Sequence, residues 1–222
     1  MAGVTIAQAI TTLKFRLNRL TNASTAFESQ LLLELNLAQE RLESDPELPG
    51  ILLTERASID LTIDEARVVK PSDFLRENEE DDMQVQDTSA VPGSADDYTE
   101  LTKRNLDQAR RRYPDEERGR PRIYSDSGAY FRLRPIPDKT TYKLWMTYYA
   151  TAGEITLATI GNPWLTKYPD LLISEAGIYL SRTLGNQRAE ALFSTMQPTA
   201  KDRLIRNETA IREANFDPNP ED

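Results

Sequence analysis

The side chains that carry most enzyme chemistry are missing from this chain of 222 residues. It contains no cysteine and no histidine, so thiol nucleophiles, imidazole bases and the commonest ligands of zinc, copper and iron are excluded. Carboxylates remain, and the pairs Asp81-Asp82 and Asp96-Asp97 come closest to a divalent-cation site. Their segment lacks the spaced oxygen ligands of a formed site. The composition therefore predicts a protein that is not an enzyme and has no metal or cofactor, with a carboxylate- or metal-dependent hydrolase as an alternative.

Other functional motifs are also missing from the sequence. There is no phosphate-binding glycine loop, nucleophile elbow or calcium loop. No apolar run approaches the roughly 20 residues that span a bilayer, and the N-terminus lacks a basic region followed by an apolar stretch. We expect a soluble chain that is not exported by the Sec route. The lack of cysteine fits a reducing cytoplasm.

The negative charge of the chain is concentrated in one segment. Residues 77–100 carry nine acidic residues and no lysine or arginine, and the rest of the chain has 27 acidic and 27 basic residues. With almost no large apolar side chain, this segment cannot bury enough surface to fold alone. We predict a protruding acidic loop that faces a lumen or a partner, or a solvated linker without such a role. The candidate residues are Glu79, Glu80, Asp81, Asp82, Asp96 and Asp97.

A basic stretch follows the acidic segment directly. Residues 103–122 hold eight basic and four acidic residues, including the run Arg110, Arg111 and Arg112. The run could contact an acidic neighbour or DNA phosphates, or it could be a solvated helix end where the helix dipole favours cations. The acidic and basic stretches together could pair neighbouring subunits or form an internal salt-bridged surface.

Apolar spacing predicts helices at both ends of the chain. Ile6, Ile10, Leu13 and Leu17 form one helical stripe, and a second stripe runs from Phe27 to Leu42. Leu32, Leu33 and Leu37 widen the second stripe, so this helix is expected to touch more than one neighbour. Further helices are predicted at 98–113, after Pro169, at 186–197 and at 199–214.

Alternating side chains predict strands in the middle of the chain. Residues 59–63 alternate, and the segments 130–136 and 141–149 flank a turn at 137–140, which indicates a β-hairpin. Large side chains occupy both faces of its second strand, with Trp145 on one face, so both faces are expected to be covered by helices or by another subunit.

The fold class that follows is α+β, mainly α: a helical bundle from the N- and C-terminal helices, with an inserted small antiparallel β region and a long acidic loop. We expect one structural domain. Its segments are a helical hairpin at 1–50, first strands at 51–76, the acidic protruding loop at 77–100, a helix plus β-hairpin at 101–150, C-terminal helices at 151–214 and a flexible tail at 215–222.

Two aromatic residues precede the helix that begins near Pro169. Trp164 and Tyr168 could anchor a neighbouring subunit, because buried aromatic side chains dominate the energy of many interfaces. Alternatively, they form a hydrophobic staple that fixes the entry to the helix. With Trp145 and the arginine run, they complete the set of candidate interface residues.

Several segments, taken in order, resemble the head-to-tail adaptor (head-tail connector) proteins of short-tailed phages. They are ILLT at 51–54, KPSDFLR at 70–76, GRPRIY at 119–124, FRLRPIPD at 131–138, LWMTYY at 144–149 and NPWLTKYPDLL at 162–172. The resemblance covers roughly residues 5 to 195. The acidic segment and the proline-rich tail depart from the family pattern, so no role is carried over to them.

The resemblance implies a structural virion protein that catalyses no reaction. Family members form a ring, usually of twelve copies, beneath the portal protein, and bridge the capsid to the tail or nozzle while the genome passes through the lumen. The chain would then be assembled in the host cytoplasm and located at the neck of the virion. The remaining alternatives are another neck or tail-completion protein and a DNA-packaging or DNA-binding protein.

Overall fold

The computed structural model describes residues 3–19, 24–48, 51, 53–78, 83–91 and 97–215, without the side chains of 53–56 and 211–215. The helices are α1 (Ile6–Arg16), α2 (Thr25–Ser44), α3 (Leu106–Arg112), α4 (Pro163–Lys167), α5 (Pro169–Thr183) and α6 (Gln187–Asn215). The strands are β1 (Leu53–Asp60), β2 (Arg67–Val69), β3 (Phe74–Glu77), β4 (Gln84–Asp87), β5 (Tyr98–Glu100), β6 (Thr102–Lys103), β7 (Ile123–Ser127), β8 (Tyr130–Arg134) and β9 (Tyr142–Ala150).

The α+β class is confirmed, and the chain forms two compact units where the sequence indicated one domain. Residues 1–52 and 151–222 make up the helical unit, and the β unit consists of residues 53–150. The β unit is larger than the small antiparallel region that was predicted. In the described part of the chain it contains two sheets, and its β6 and β7 run parallel.

The helical unit has one continuous apolar core. Its α1 begins at the capping box of Thr5 and Gln8, where Gln8 N donates to Thr5 Oγ1 (3.2 Å) and Thr5 N donates to Gln8 Oε1 (2.8 Å). The predicted stripes of α1 and α2 are buried, as Leu13 and Leu31 show. Burying one such leucine contributes about 1.5–3 kcal/mol. Helix α5 is buried on more than one side and lies at the centre of the core.

Helices α5 and α6 approach closely at Gly177. A Cβ built on Gly177 would lie 2.6 Å from the ring of the fully buried Phe193 of α6, so no larger residue fits without movement. The sequence predicted two helices in place of α6, but the helix continues through Pro198. Phe193 on one side of the proline and Leu204 on the other are both buried. Packing of the two halves thus outweighs the cost of one missing backbone hydrogen bond.

Strand β9 organises the first sheet of the β unit. It pairs with β1 from Leu53↔Tyr149 to Asp60↔Lys143, and its other edge pairs with β4 and β3 in succession. The alternation predicted for this strand is confirmed on one face, where the side chains of Tyr142, Leu144, Met146 and Tyr148 are buried. The second sheet has the order β2-β8-β7-β6.

The predicted β-hairpin of 130–136 and 141–149 is wrong, because β8 and β9 belong to different sheets. After β8 the chain does not turn back. Ile136 N donates to Glu117 O (2.9 Å) and Gly119 N donates to Ile136 O (2.8 Å), so the connecting segment pairs with residues 117–119. The sequence pattern identified both strands but not their partners.

Two further predictions are corrected in the β unit. The loop predicted at 77–100 contains β4 and β5, which pair with each other, and β4 also pairs with β9. The helix predicted at 98–113 begins only after Asn105, whose Oδ1 accepts a hydrogen bond from Gln108 N (2.8 Å). Before that cap, the backbone of 98–103 forms β5 and β6. In both places, hydrogen bonds to distant strands outweigh local propensity.

Candidate interface surfaces

Trp164 and Tyr168 lie in the core of the helical unit. Their exposed fractions are 1% and 3%. Trp164 Nε1 donates to Glu43 Oε1 (2.9 Å) and Tyr168 Oη donates to Glu208 Oε1 (2.7 Å). Burial raises the pKa of the Glu43 carboxyl, although hydrogen bonds from Trp164 and Ala152 N act in the opposite direction. In the folded subunit neither aromatic side chain offers surface to a partner, and both stabilise the start of α4 and α5.

Polar side chains of α2 hold the segment that precedes α4. Asn36 Oδ1 accepts from Ile155 N (2.7 Å), and its Nδ2 donates to Ile155 O (2.9 Å). Gln39 Nε2 donates to Ala152 O (2.6 Å), and Asn162 Nδ2 donates to Gln39 Oε1 (2.9 Å). These bonds are buried or half-buried, so they fix the backbone on both sides of a loop at residues 153–161.

Large apolar side chains project from this anchored loop. Ile160 is 97% exposed and Leu157 is 66% exposed. A turn fixes the backbone between them, since Thr159 N donates to Thr156 O (3.0 Å). The loop and the start of α1 border a cleft of about 390 Å³. We call residues 153–161 the apolar loop. Exposed apolar residues that are held in one conformation indicate a surface for a protein partner.

Sequence reasoning missed the apolar loop because the segment has neither helical nor strand periodicity. The only signal was three large apolar residues, Ile155, Leu157 and Ile160, in the short stretch between Gly153 and Gly161. By contrast, the sequence predicted a widened apolar stripe on α2. In the structure, Leu33 of this stripe is 57% exposed, and Leu37 is partly exposed. Among the described residues, the apolar loop and the exposed leucines of α2 thus provide apolar surface that the core of the helical unit leaves uncovered.

The arginine run lies at the exposed end of α3. Arg110 Nε is 3.5 Å from Asp115 Oδ1, while Arg112 borders a cleft in the β unit. Arg111 is exposed, and Arg110 and Arg112 are exposed as well. Trp145, the remaining interface candidate, is half-buried on β9 and donates from Nε1 to Gln86 Oε1 (2.9 Å). The three arginines of the run therefore lie together at the end of α3, whereas Trp145 lies on β9.

The predicted acidic residues are described only in part. Glu79, Glu80, Asp81, Asp82 and Asp96 lie outside the described residues. Asp97 is buried, and its Oδ1 accepts from Gln86 Nε2 (3.1 Å) in the β4–β5 pairing. Its side chain therefore belongs to the interior of the β unit and not to an exposed acidic surface.

Asp87, in the same segment, is also buried and is neutralised within the β unit. Its carboxylate accepts from Lys139 Nζ (2.9 Å), Thr141 Oγ1 (2.8 Å) and Ser89 Oγ (2.6 Å). Burial alone would raise the pKa of Asp87, but these hydrogen bonds outweigh it and hold the pKa well below its ordinary value. This carboxylate therefore stabilises the fold and is not available to a ligand.

Within the described ranges, acidic side chains do not gather in groups of three or more that could hold a metal ion. In the described part of the chain, no helix combines the length and the apolar character needed to cross a membrane.

Comparison with known proteins supports the resemblance found in the sequence. The chain matches the SU10 adaptor protein family over residues 4–217. No curated protein matches the chain significantly. The matched range includes most of the helical unit and the whole β unit. It also includes the six segments that carry the resemblance. The predicted resemblance to adaptor proteins is confirmed, and the chain belongs to the SU10 adaptor protein family.

Proposed function

We propose that this protein is a structural subunit of a tailed-phage virion and acts as its head-to-tail adaptor. Copies of the chain form a ring, of twelve subunits by the family resemblance, beneath the portal protein. The ring bridges the capsid to the tail or nozzle, and the genome passes through its lumen without sequence-specific binding. The match to the adaptor family supports this role, and the surfaces of the helical unit supply its physical basis.

The observation that carries the proposal is the apolar loop. Exposing Leu157 and Ile160 to water costs free energy that a partner would recover by covering them. The polar bonds from α2 hold the loop in place before any partner arrives, so little conformational entropy is lost on binding. The exposed Leu33 and Leu37 of α2 add further apolar surface to the same unit, and a ring of identical chains requires two contact patches on each chain.

In this proposal, fewer acidic residues line the lumen than the sequence suggested. Asp97 is internal, so a negative lumen lining would consist of Glu79, Glu80, Asp81, Asp82 and Asp96. Carboxylates at a channel wall would repel DNA phosphates and keep the genome mobile. A map of the assembled ring with these five residues on its outer wall would contradict this part of the proposal.

The proposal is tested in phage particles that carry Leu157→Asp and Ile160→Asp together. Both side chains are exposed, so the isolated variant should keep its circular dichroism and melting temperature. Electron microscopy should show DNA-filled or leaking heads without tails, as for particles that lack the protein. Ala158→Asp is the matched control, because it adds a charge at an exposed position of the same loop without removing a large apolar side chain. Normal virions from the double variant would refute the role of the loop, and normal virions without the protein would refute the adaptor function.

A further inference from the structure

A cleft of about 280 Å³ opens in the β unit between the end of α3 and strands β5, β6 and β7. Its walls carry three arginines, Arg104, Arg112 and Arg122, and the hydroxyl groups of Thr99 and Thr102. These residues come from four different elements or their ends, so the fold and not one local sequence motif assembles the cleft. We call it the arginine cleft.

The charges of the arginine cleft are not balanced by the subunit. Neighbouring arginines outside it have carboxylate partners: Arg134 and Arg110 with Asp115, and Arg118 with Asp64. In the described part of the chain, the three cleft arginines form no ion pair. Glu100 is the one acidic residue on the walls. Gathering three like charges is unfavourable unless an anion joins them, so the cleft fits a ligand with several negative charges.

Strand β5 forms one wall of the cleft and is an edge strand. It ends the sheet order β1-β9-β4-β5 among the described strands. Leu101 N donates to Met83 O (2.7 Å) on the β4 side. Because backbone groups alternate along a strand, those of Glu100 point away from β4. An extended peptide could pair there and place its side chains against the arginines.

The chain itself contains a segment suited to this position. Residues 216–222 read FDPNPED, with three acidic residues and no basic one. Pro218 and Pro220 are two positions apart, so in an extended conformation their missing N–H groups lie on the same edge. The N–H groups of Asp217, Asn219 and Glu221 then all lie on the other edge. Such a segment can add to an edge strand but cannot pair with a further strand, as is typical of proline at sheet edges.

We propose that the arginine cleft of one subunit binds residues 216–222 of a second copy, which extend along β5 with their carboxylates among the arginines. The inference rests on the proposed function in one respect, since a ring brings copies of the chain together. DNA is disfavoured as the occupant because Asp107, Asp115, Glu116 and Glu117 lie on and after α3 and break up the basic surface. A duplex needs a broad basic surface, whereas a short acidic peptide needs only the cleft.

The test measures binding of a fluorescein-labelled peptide with residues 213–222 to the full chain by fluorescence polarisation. The receptor carries Asp217→Asn, Glu221→Gln and Asp222→Asn, so that its own segment competes weakly. We expect saturable binding that weakens with salt and falls at least about tenfold when Arg104→Glu and Arg122→Glu are added. Arg67→Glu is the control, since this exposed arginine lies on β2 of the same unit and outside the cleft.

A charge exchange makes the test specific. A peptide with Asp217→Lys and Glu221→Lys should bind the Arg104→Glu/Arg122→Glu chain better than it binds the receptor with intact arginines. Equal binding of the original peptide to both receptors would overturn the proposal. So would binding of a 20-base-pair duplex through these arginines without peptide binding. Since the peptide assay needs no ring, its failure would leave the adaptor function standing, and tailless particles from the apolar-loop variant would be an independent result.

Discussion

Both units bury charged groups, and the helical unit also has one continuous apolar core. In the helical unit, the polar bonds of Gln39 and Trp164 hold the apolar loop and α4, and the buried Glu175 pairs with Arg41. In the β unit charged groups are part of the interior: Asp87 is held by Lys139, and Arg134 is hydrogen-bonded to Asp115. The stability of the helical unit should therefore depend chiefly on packing volume, and Asp87 should make that of the β unit depend on ionisation as well.

Trp164→Ala tests how far the stability of the helical unit depends on packing, and it should produce the largest effect. Removing a fully buried indole should lower the free energy of unfolding by about 4 kcal/mol, as large-to-small core substitutions do. Urea denaturation followed by circular dichroism at 222 nm measures the change. Trp164→Phe is the control: it keeps most of the apolar volume, loses only the bond to Glu43 and should cost about half as much. A loss below about 1 kcal/mol for the alanine variant would contradict the packing account.

Asp87→Asn tests how far the stability of the β unit depends on ionisation. Replacing the buried carboxylate with a neutral amide weakens its hydrogen bonds from Lys139, Thr141 and Ser89, and should lower the free energy of unfolding by about 3 kcal/mol at pH 7. Trp145 fluorescence in a Trp164→Phe background reports the β unit. Asp60→Asn, whose carboxylate pairs with Lys143 at the surface, is the control and should cost less than about 1 kcal/mol.

The effect of Asp87 should also depend on pH. Its pKa is lowered in the folded state, so its contribution is complete above the unfolded pKa of about 3.9. The contribution should decrease as the pH falls below this value towards the folded pKa. The difference between wild type and Asp87→Asn should therefore be constant from pH 5 to 7 and shrink in acid. A difference that stays the same in acid would show that the carboxylate acts by shape and not by charge.

Tyr168→Phe and Tyr142→Phe compare one buried hydroxyl from each unit and should have the smallest effects. Tyr168 donates to the buried Glu208, whereas Tyr142 donates to the exposed Asp138 (3.0 Å). Leaving a buried acceptor without its donor costs more, so we expect losses of about 2 kcal/mol for Tyr168→Phe and below about 1 kcal/mol for Tyr142→Phe. Urea titrations at pH 7 measure both, and equal losses would remove this distinction between the units.

The same tyrosines should titrate late in alkaline solution. Burial, and then the hydrogen bond to Asp138, raises the pKa of Tyr142 to about 12, and burial with the bond to Glu208 raises the pKa of Tyr168 further. The folded state therefore keeps protons that the unfolded chain releases near pH 10, and stability should fall as the pH rises above that value. Absorbance at 295 nm should show one late-titrating group fewer in each variant than in the wild type.

Periodicity predicted the helices and the strand in which one face is buried along the element. The stripe of α1, the stripe of α2 and the alternation along β9 are each visible in a short window, because one face of the element meets the core. The cap of α3 could not be placed so easily, since residues 98–103 pair with β4 and β7 at a distance along the chain. Strand pairing depends on such remote backbone bonds, which leave little trace in local sequence.

The candidate surfaces were harder to predict for a similar reason. Aromatic residues are common in cores and interfaces alike, and only the fold shows that Trp164 is enclosed. The exposure of Ile160 could not be predicted from local periodicity. It depends on hydrogen bonds that Asn36 and Gln39 donate to the backbone near Ile160, more than 100 residues away along the chain. Likewise, the arginine run was visible, but its convergence with Arg104 and Arg122 depends on the parallel pairing of β6 with β7.

The pairing of Leu53 with Tyr149 has a consequence for how this family can diversify. The first and last strands of the β unit are hydrogen-bonded neighbours, so the chain enters and leaves this unit at adjacent points. An insert with neighbouring ends can be lengthened, exchanged or shortened to a tight turn while the flanking helices keep their sequence and core. Selection could thus change the inserted module while the helical frame is inherited unchanged, and the same two positions are natural junctions for grafting a foreign domain.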